Sequence, residues 1–195
     1  MKTLDQYLED AAKSHGHICA GQVLGVRMAM YGLRLLGIEH PESTDRKRTV
    51  TFVEIDRCAT DAVSLVTNCR LGKRALKFRD WGKMAATFID LQSGKAVRVA
   101  ALESSKGKAK ELHPEVDNKN QQQMLAYREM SDEELFSREW VKVELPEQEF
   151  PGYRGERIVC ADCGEGIAFR REVLRDGRIL CRGCAGESYY TKLSD

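Results

Sequence analysis

The sequence predicts an α+β domain built around one mixed sheet of five strands, followed by a small tail that folds around metal. Three observations predict it. Apolar periodicity changes along the chain in the order ααβαβββαβ, which suits helices packed on a single sheet. Residues 147–156 carry Pro151, Gly152 and Gly155 and read as a linker. Beyond them stand four cysteines in two CxxC pairs. The expected organisation is a core domain over 1–146, a linker over 147–156 and a four-cysteine finger over 157–195.

Thr3-Leu4-Asp5-Gln6 has the spacing of a capping box, so a first helix is expected from Leu4 to about Lys13. A second is expected over 22–36, with Gly37 as its stop. Val23, Val26, Met30 and Leu33 share one face of it, and Leu24, Met28 and Leu35 line the flanks. Arg27 and Arg34 keep only a narrow polar stripe, so this helix should be mostly buried. Thr49–Ile55 alternates and is β-branched, a strand. Cys58–Asn68 reads as a helix with Ala62, Leu65, Val66 and Cys69 inward. Ala75–Phe78, Met84–Leu91 and Ala96–Leu102 read as strands, the last two joined by a Gln92-Ser93-Gly94-Lys95 turn. Asp117–Met130 favours helix, Ser131–Glu134 offers a second capping box, and Trp140–Leu145 is the expected fifth strand.

Composition narrows the function. Hydrophobic residues make up 42% and charged residues 31%, as in a globular protein, and 31 Lys+Arg against 30 Asp+Glu leave a net charge of +1. No global field draws nucleic acid or an anionic membrane. The apolar run from Ile18 to Leu36 carries Arg27 and Arg34. Each would cost about 2.5–3.5 kcal/mol at a bilayer centre, so the run is a core helix. Met1–Asp10 has neither the basic start nor the apolar stretch of an export signal. A cytoplasmic setting is therefore expected, with the seven cysteines as thiols or metal ligands and not disulfides.

Cys160-Ala161-Asp162-Cys163 and Cys181-Arg182-Gly183-Cys184 are separated by seventeen residues. Two such turns aim four sulfurs at one point, the tetrahedral set of a structural zinc site. So short a segment cannot bury enough apolar surface to fold unaided. Zinc would supply on the order of 10–16 kcal/mol. The five arginines between Arg170 and Arg182 do not make a phosphate surface, because residues 157–195 hold seven basic and six acidic groups.

The stretch His15-Gly16-His17-Ile18-Cys19-Ala20-Gly21 places two of the four histidines and a cysteine at alternate positions. If it is extended, all three side chains share a face; if helical, only His15 and Cys19 do. Gly16 and Gly21 favour an extended or irregular segment, and the helix that follows favours thiolate at Cys19. Cys58 falls where a strand passes into a helix, where open sheets commonly place ligands. Asp61, three residues on, shares its helix face. Cys69 lies eleven residues from Cys58, about 16 Å along a helix, and belongs to the core packing. Spacing alone leaves two readings open: a loop whose histidines make local hydrogen bonds, or a His/Cys site.

HGHICAGQVLGVRMAM, Val53–Ala62, Asn68–Lys73 and Asp80–Ala85 together resemble the FmdE family of formylmethanofuran dehydrogenase components, over residues 1 to about 145. The resemblance implies a thioredoxin-like core and a site that can hold a second zinc. His17, Cys19 and Cys58 match the ligand positions, with His15 as a further candidate. Ala20 stands where the family usually has proline. The tail resembles the DksA/TraR-type zinc finger through Cys160, Cys163, Gly164, Ile167, Arg171, Cys181 and Cys184, which implies a treble clef. The combined resemblance implies a metal-binding protein, a homodimer or a partner of other protein chains, accessory to formylmethanofuran and one-carbon metabolism in anaerobes. Cys58, Asp61 and Lys83 are the candidate catalytic residues, the last two for proton transfer or anchoring, although no residue establishes a reaction. A thiol-redox or metal-carrier protein and a regulatory adaptor acting through the finger are the alternatives.

Overall fold

The structure, a computed structural model, describes residues 1–193; Ser194 and Asp195, the end of the expected finger, lie outside the described residues. Two compact units divide the chain, Met1–Glu144 and a second that begins at Leu145. The first contains α1 (Leu4–His15), α2 (Ala20–Leu35), β1 (Thr49–Val53), α3 (Cys58–Thr67), β2 (Leu76–Phe78), β3 (Ala85–Asp90) and β4 (Ala96–Ala101). It continues with α4 (Ser104–Leu112), α5 (Lys119–Glu129), α6 (Asp132–Leu135) and β5 (Phe136–Val141). The sheet order is β2-β1-β3-β4-β5. β1 and β2 are parallel because α3 carries the chain back between them, and the other neighbours are antiparallel. The α+β class with one mixed five-stranded sheet is the fold the chain adopts.

α2 is the central helix of the core: Val23, Val26, Met28, Ala29 and Leu33 are each at most 1% exposed. It packs on α1, α3, α5, β3 and β4. Two glycines permit this. A Cβ at Gly25 would sit 2.5 Å from the Ala59 carbonyl oxygen, and one at Gly32 would collide with the Phe88 ring. The helix stops where Gly37 takes φ +65°. There the Ile38 amide donates to Leu33 O and the Gly37 amide to Arg34 O, the paired bonds of a Schellman motif. Both expected capping boxes form, at Thr3/Gln6 and Ser131/Glu134.

Two elements depart from the sequence expectation. β5 starts at Phe136 and not at Trp140; it pairs from Ala101↔Phe136 to Ala96↔Val141. The strand lies at the sheet edge with Ser137, Arg138, Glu139 and Trp140 exposed, so its polar residues hide the alternation of a half-buried strand. α4 has no counterpart in the expected order, because only Ser105 and Ala109 of it are buried and Glu103 supplies no side-chain cap.

The described part of the second unit consists of two short hairpins and a turn. β6 (Ile158–Val159) pairs with β7 (Gly166–Ile167), β8 (Val173–Arg175) with β9 (Arg178–Leu180), and a turn follows over Gly183–Glu187. Its buried apolar cluster is Cys160, Ile167 and Leu180. Among the described residues no helix is long and apolar enough to cross a membrane.

Candidate metal centres

In the second unit, the Cys160–Cys163 turn is closed by the Gly164 amide donating to Cys160 O, with Gly164 at φ +74°. The amide of Cys181 donates to Cys160 Sγ at 3.2 Å and that of Cys184 to Cys181 Sγ at 3.3 Å. All four sulfurs lie within 4.8 Å of one another. Amides of Cys163 and Cys181 pull the Cys160 thiol down to about 6, while the Cys181 sulfur, followed by burial, pushes Cys184 up to about 12. Four sulfurs this close cannot all be thiolates unless a cation shares their charge, and a tetrahedral set of four cysteines suits zinc.

In the first unit, His15 is the last residue of α1, and Gly16 turns the chain with φ +89°. His17 lies in the bend that follows, and Cys19 is extended at φ −143° as the N-cap of α2. The segment is thus irregular, as Gly16 requires. Gly21, expected to loosen it, instead lies inside α2. One ligand atom each of His15, His17 and Cys19 lies within 4.8 Å of the others. Asp61 Oδ2 accepts from His15 Nδ1 at 2.9 Å, across from α3. A carboxylate on one ring nitrogen fixes the tautomer and leaves Nε2 free, the usual setting of a metal-binding histidine. His15 and Cys19 are half-buried and His17 is exposed, so the donor set is open to solvent.

Cys58, the first residue of α3, approaches this set from the Cys19 side and stands outside the three-donor group. A Cβ at Gly21 would lie 3.2 Å from Cys58 Cβ and 3.7 Å from Cys19 Sγ, so this glycine lets the two cysteines approach each other. Burial, followed by the neighbouring Cys19, pushes the Cys58 thiol up. Lys83 is exposed, with its ammonium 5.9 Å from the Trp81 ring centre. Cys69 is 2% exposed, where Thr51 Oγ1 donates to its sulfur at 3.4 Å.

Two supporting residues lie outside the sequence expectation. Gln22 is fully buried and donates from Nε2 to the Cys58 carbonyl at 2.7 Å, and its Oε1 has no partner among the described residues. Asn120 Oδ1 accepts from the Ala20 amide at 3.0 Å, so Cys19 need not cap α2 with its own side chain. Gln22 carries a signal, a polar residue opening an apolar helix. Asn120 carries none, being a hundred residues away in sequence.

Residues 14–137 match the family described as FmdE, molybdenum formylmethanofuran dehydrogenase operon. The chain belongs to the FmdE family. Residues 153–190 of this FmdE protein match the prokaryotic DksA/TraR C4-type zinc finger. A crystal structure of a tungsten formylmethanofuran dehydrogenase FmdE-like protein from Syntrophus aciditrophicus shares the fold. Its TM-score is 0.66 at 22% identity, over 97% of this chain and 96% of that one. A probable S-adenosyl-L-methionine-binding protein of Archaeoglobus fulgidus is 34% identical across 96% of the chain. The chain spans about half, 54%, of that relative's length.

Proposed function

We propose that this FmdE-family protein binds zinc at two sites of different kind. Cys160, Cys163, Cys181 and Cys184 form a closed, structural site. His15, His17 and Cys19 form an open site in the core, with Cys58 at its margin. The observation that carries the second site is the convergence of three borderline and soft donors within 4.8 Å on a solvent-open surface. Asp61, on Nδ1 of His15, strengthens the reading. Zinc with an open position supplies Lewis acidity and lowers the pKa of bound water. The residues' own tasks are distinct: Asp61 orients His15, Gln22 ties the start of α3 to α2, and Gly21 brings Cys58 against Cys19.

The setting that fits this chemistry is a reducing cytoplasm and an accessory role in formylmethanofuran or other one-carbon metabolism. The ligand in the name of the archaeal relative, S-adenosyl-L-methionine, is itself a one-carbon donor and supports that direction. A homodimer belongs to the same reading: β5 is an outer strand with Trp140 56% exposed, an edge that a second copy could cover. Light scattering of the purified protein checks this, and a monomer mass at working concentration removes it.

Metal content tests the two sites. Elemental analysis of the zinc-saturated protein should give about two zinc ions per chain, falling to about one in either Cys160→Ser or Cys19→Ser. Zinc lost in Cys160→Ser alone, with Cys19→Ser at the wild-type content, would remove the core site.

A further inference from the structure

Cys19 stands between two groups of different chemistry. On one side are the imidazoles of His15 and His17, within 4.8 Å of its sulfur. On the other is Cys58, held against it by the missing side chain of Gly21. Both thiols are half-buried and free. They sit at the N-terminal ends of α2 and α3, whose close packing is fixed by Gly25 against Ala59. Gln22 anchors the Cys58 backbone from within α2 at 2.7 Å. Cys58 Cβ and Cys19 Sγ are therefore held on either side of Gly21 by a tightly packed helix pair in the core, and not by a flexible loop.

We propose that Cys19 and Cys58 form a reversible disulfide that shuts the core metal site, so that metal loading and oxidation of this pair exclude one another. This rests on the zinc reading of the core site given above. A sulfur that coordinates zinc has its lone pair engaged, and a sulfur in a disulfide is a poor ligand, so Cys19 cannot serve both groups at once. The oxidant is a peroxide. One thiol attacks it, the O–O bond breaks, and a sulfenic acid and one water form. The second thiol then attacks that sulfur, the S–O bond breaks, and the disulfide and a second water form. Two thiols and one hydrogen peroxide thus give one disulfide and two waters. A dithiol reductant reverses the step by thiol–disulfide exchange. Cys69 takes no part, since it is sealed against Thr51 and Thr67 in the core.

The test uses the full chain in two states, saturated with zinc and with its weaker-bound zinc removed by dialysis against a chelator. Each is exposed to hydrogen peroxide and its cysteines are mapped by mass spectrometry, with metal content measured in parallel. The stripped protein should yield a Cys19–Cys58 cross-linked peptide, and the saturated protein should form it roughly tenfold more slowly. The cross-linked protein should take up one zinc fewer until a dithiol is added, whereas Cys58→Ser should yield no cross-link. Cys19 over-oxidised to sulfinic acid beside a free Cys58 would overturn the proposal, as would equal cross-linking rates in the two states. Failure of the underlying zinc reading has a different signature: the pair cross-links, yet the reduced protein never takes up a second zinc. That result removes the shut-off along with the site.

Discussion

Asp61 governs what His15 can do. It holds Nδ1 at 2.9 Å, and because its side chain is 66% exposed its removal should leave the fold unchanged. Asp61→Asn is expected to weaken zinc at the core site by about 10–100-fold, as loss of such an orienting carboxylate typically does. Competition with a chromogenic chelator measures this; an unchanged affinity would show that His15 is not a ligand. Asp90 is the opposite kind of carboxylate, only 1% exposed, with Arg48 Nε at 2.7 Å and Arg48 Nη2 at 2.9 Å. The Arg48 guanidinium holds its carboxyl far below the usual range. A depressed folded pKa contributes stability above the unfolded value, about 3.9, and that stability is lost as pH falls through the folded one. Asp90→Asn should therefore flatten the acid limb of a stability–pH curve below about pH 4. It should cost about 3–5 kcal/mol at neutral pH, toward the lower end because Arg48 stays partly solvated. Denaturant melts across pH decide it, and parallel curves for the two proteins would contradict the assignment.

At the scale of elements, α2 and α3 carry the site, and their approach depends on glycine. Gly25→Ala would bring a Cβ to 2.5 Å from the Ala59 carbonyl, a backbone atom that cannot yield without moving α3. Overpacking of this kind costs about 1–3 kcal/mol. The helix propensity gained, about 1 kcal/mol, offsets only part of it. A lower melting temperature together with slower Cys19–Cys58 cross-linking is the expected pair of results, and a stabilised protein would contradict it. What can be read in the sequence follows the same division. The capping boxes at Thr3 and Ser131, the Gly37 stop and the turn at Gly94 are local devices, legible because their chemistry lies within a few residues. β5 is held by its pairing with β4 and α4 by packing on α5 with only Ser105 and Ala109 of it buried, so their polar faces offer no period to read. The His15–Cys19 motif is visible as a candidate, whereas the Asp61 bond to His15 and the Asn120 bond to Ala20 depend on helices meeting in space. Gly21 misleads for the same reason: its purpose is close approach, and not chain flexibility.

For the whole molecule, the two units differ in what holds them. The first has a continuous apolar core running from Tyr7 on α1 to Phe136 on β5, with partly buried ion pairs such as Glu54–Arg98, bonded at 2.7 and 2.8 Å. Among the described residues, the buried apolar cluster of the second is Ile167, Leu180 and Cys160, the last being one of its four clustered sulfurs. The structural zinc of the finger would contribute on the order of 10–16 kcal/mol, far more than so small a core supplies. A strong chelator is therefore expected to unfold the second unit and leave the first standing. Hydrogen exchange followed by peptide should show amides between Ile158 and Glu187 becoming fully exchangeable on zinc removal, while those of β1, β3 and β4 stay protected. Zinc added back should restore the protection, and Cys160→Ser should show the unprotected pattern even with zinc present. Persistent protection of the Cys181 and Cys184 amides in chelator would mean that hydrogen bonds to sulfur, and not a metal, hold the finger. Loss of protection in the sheet would mean that the core site contributes to folding as well as to binding. The half-exposed, three-donor geometry argues against that second result, because an open site binds its metal on a scaffold already formed.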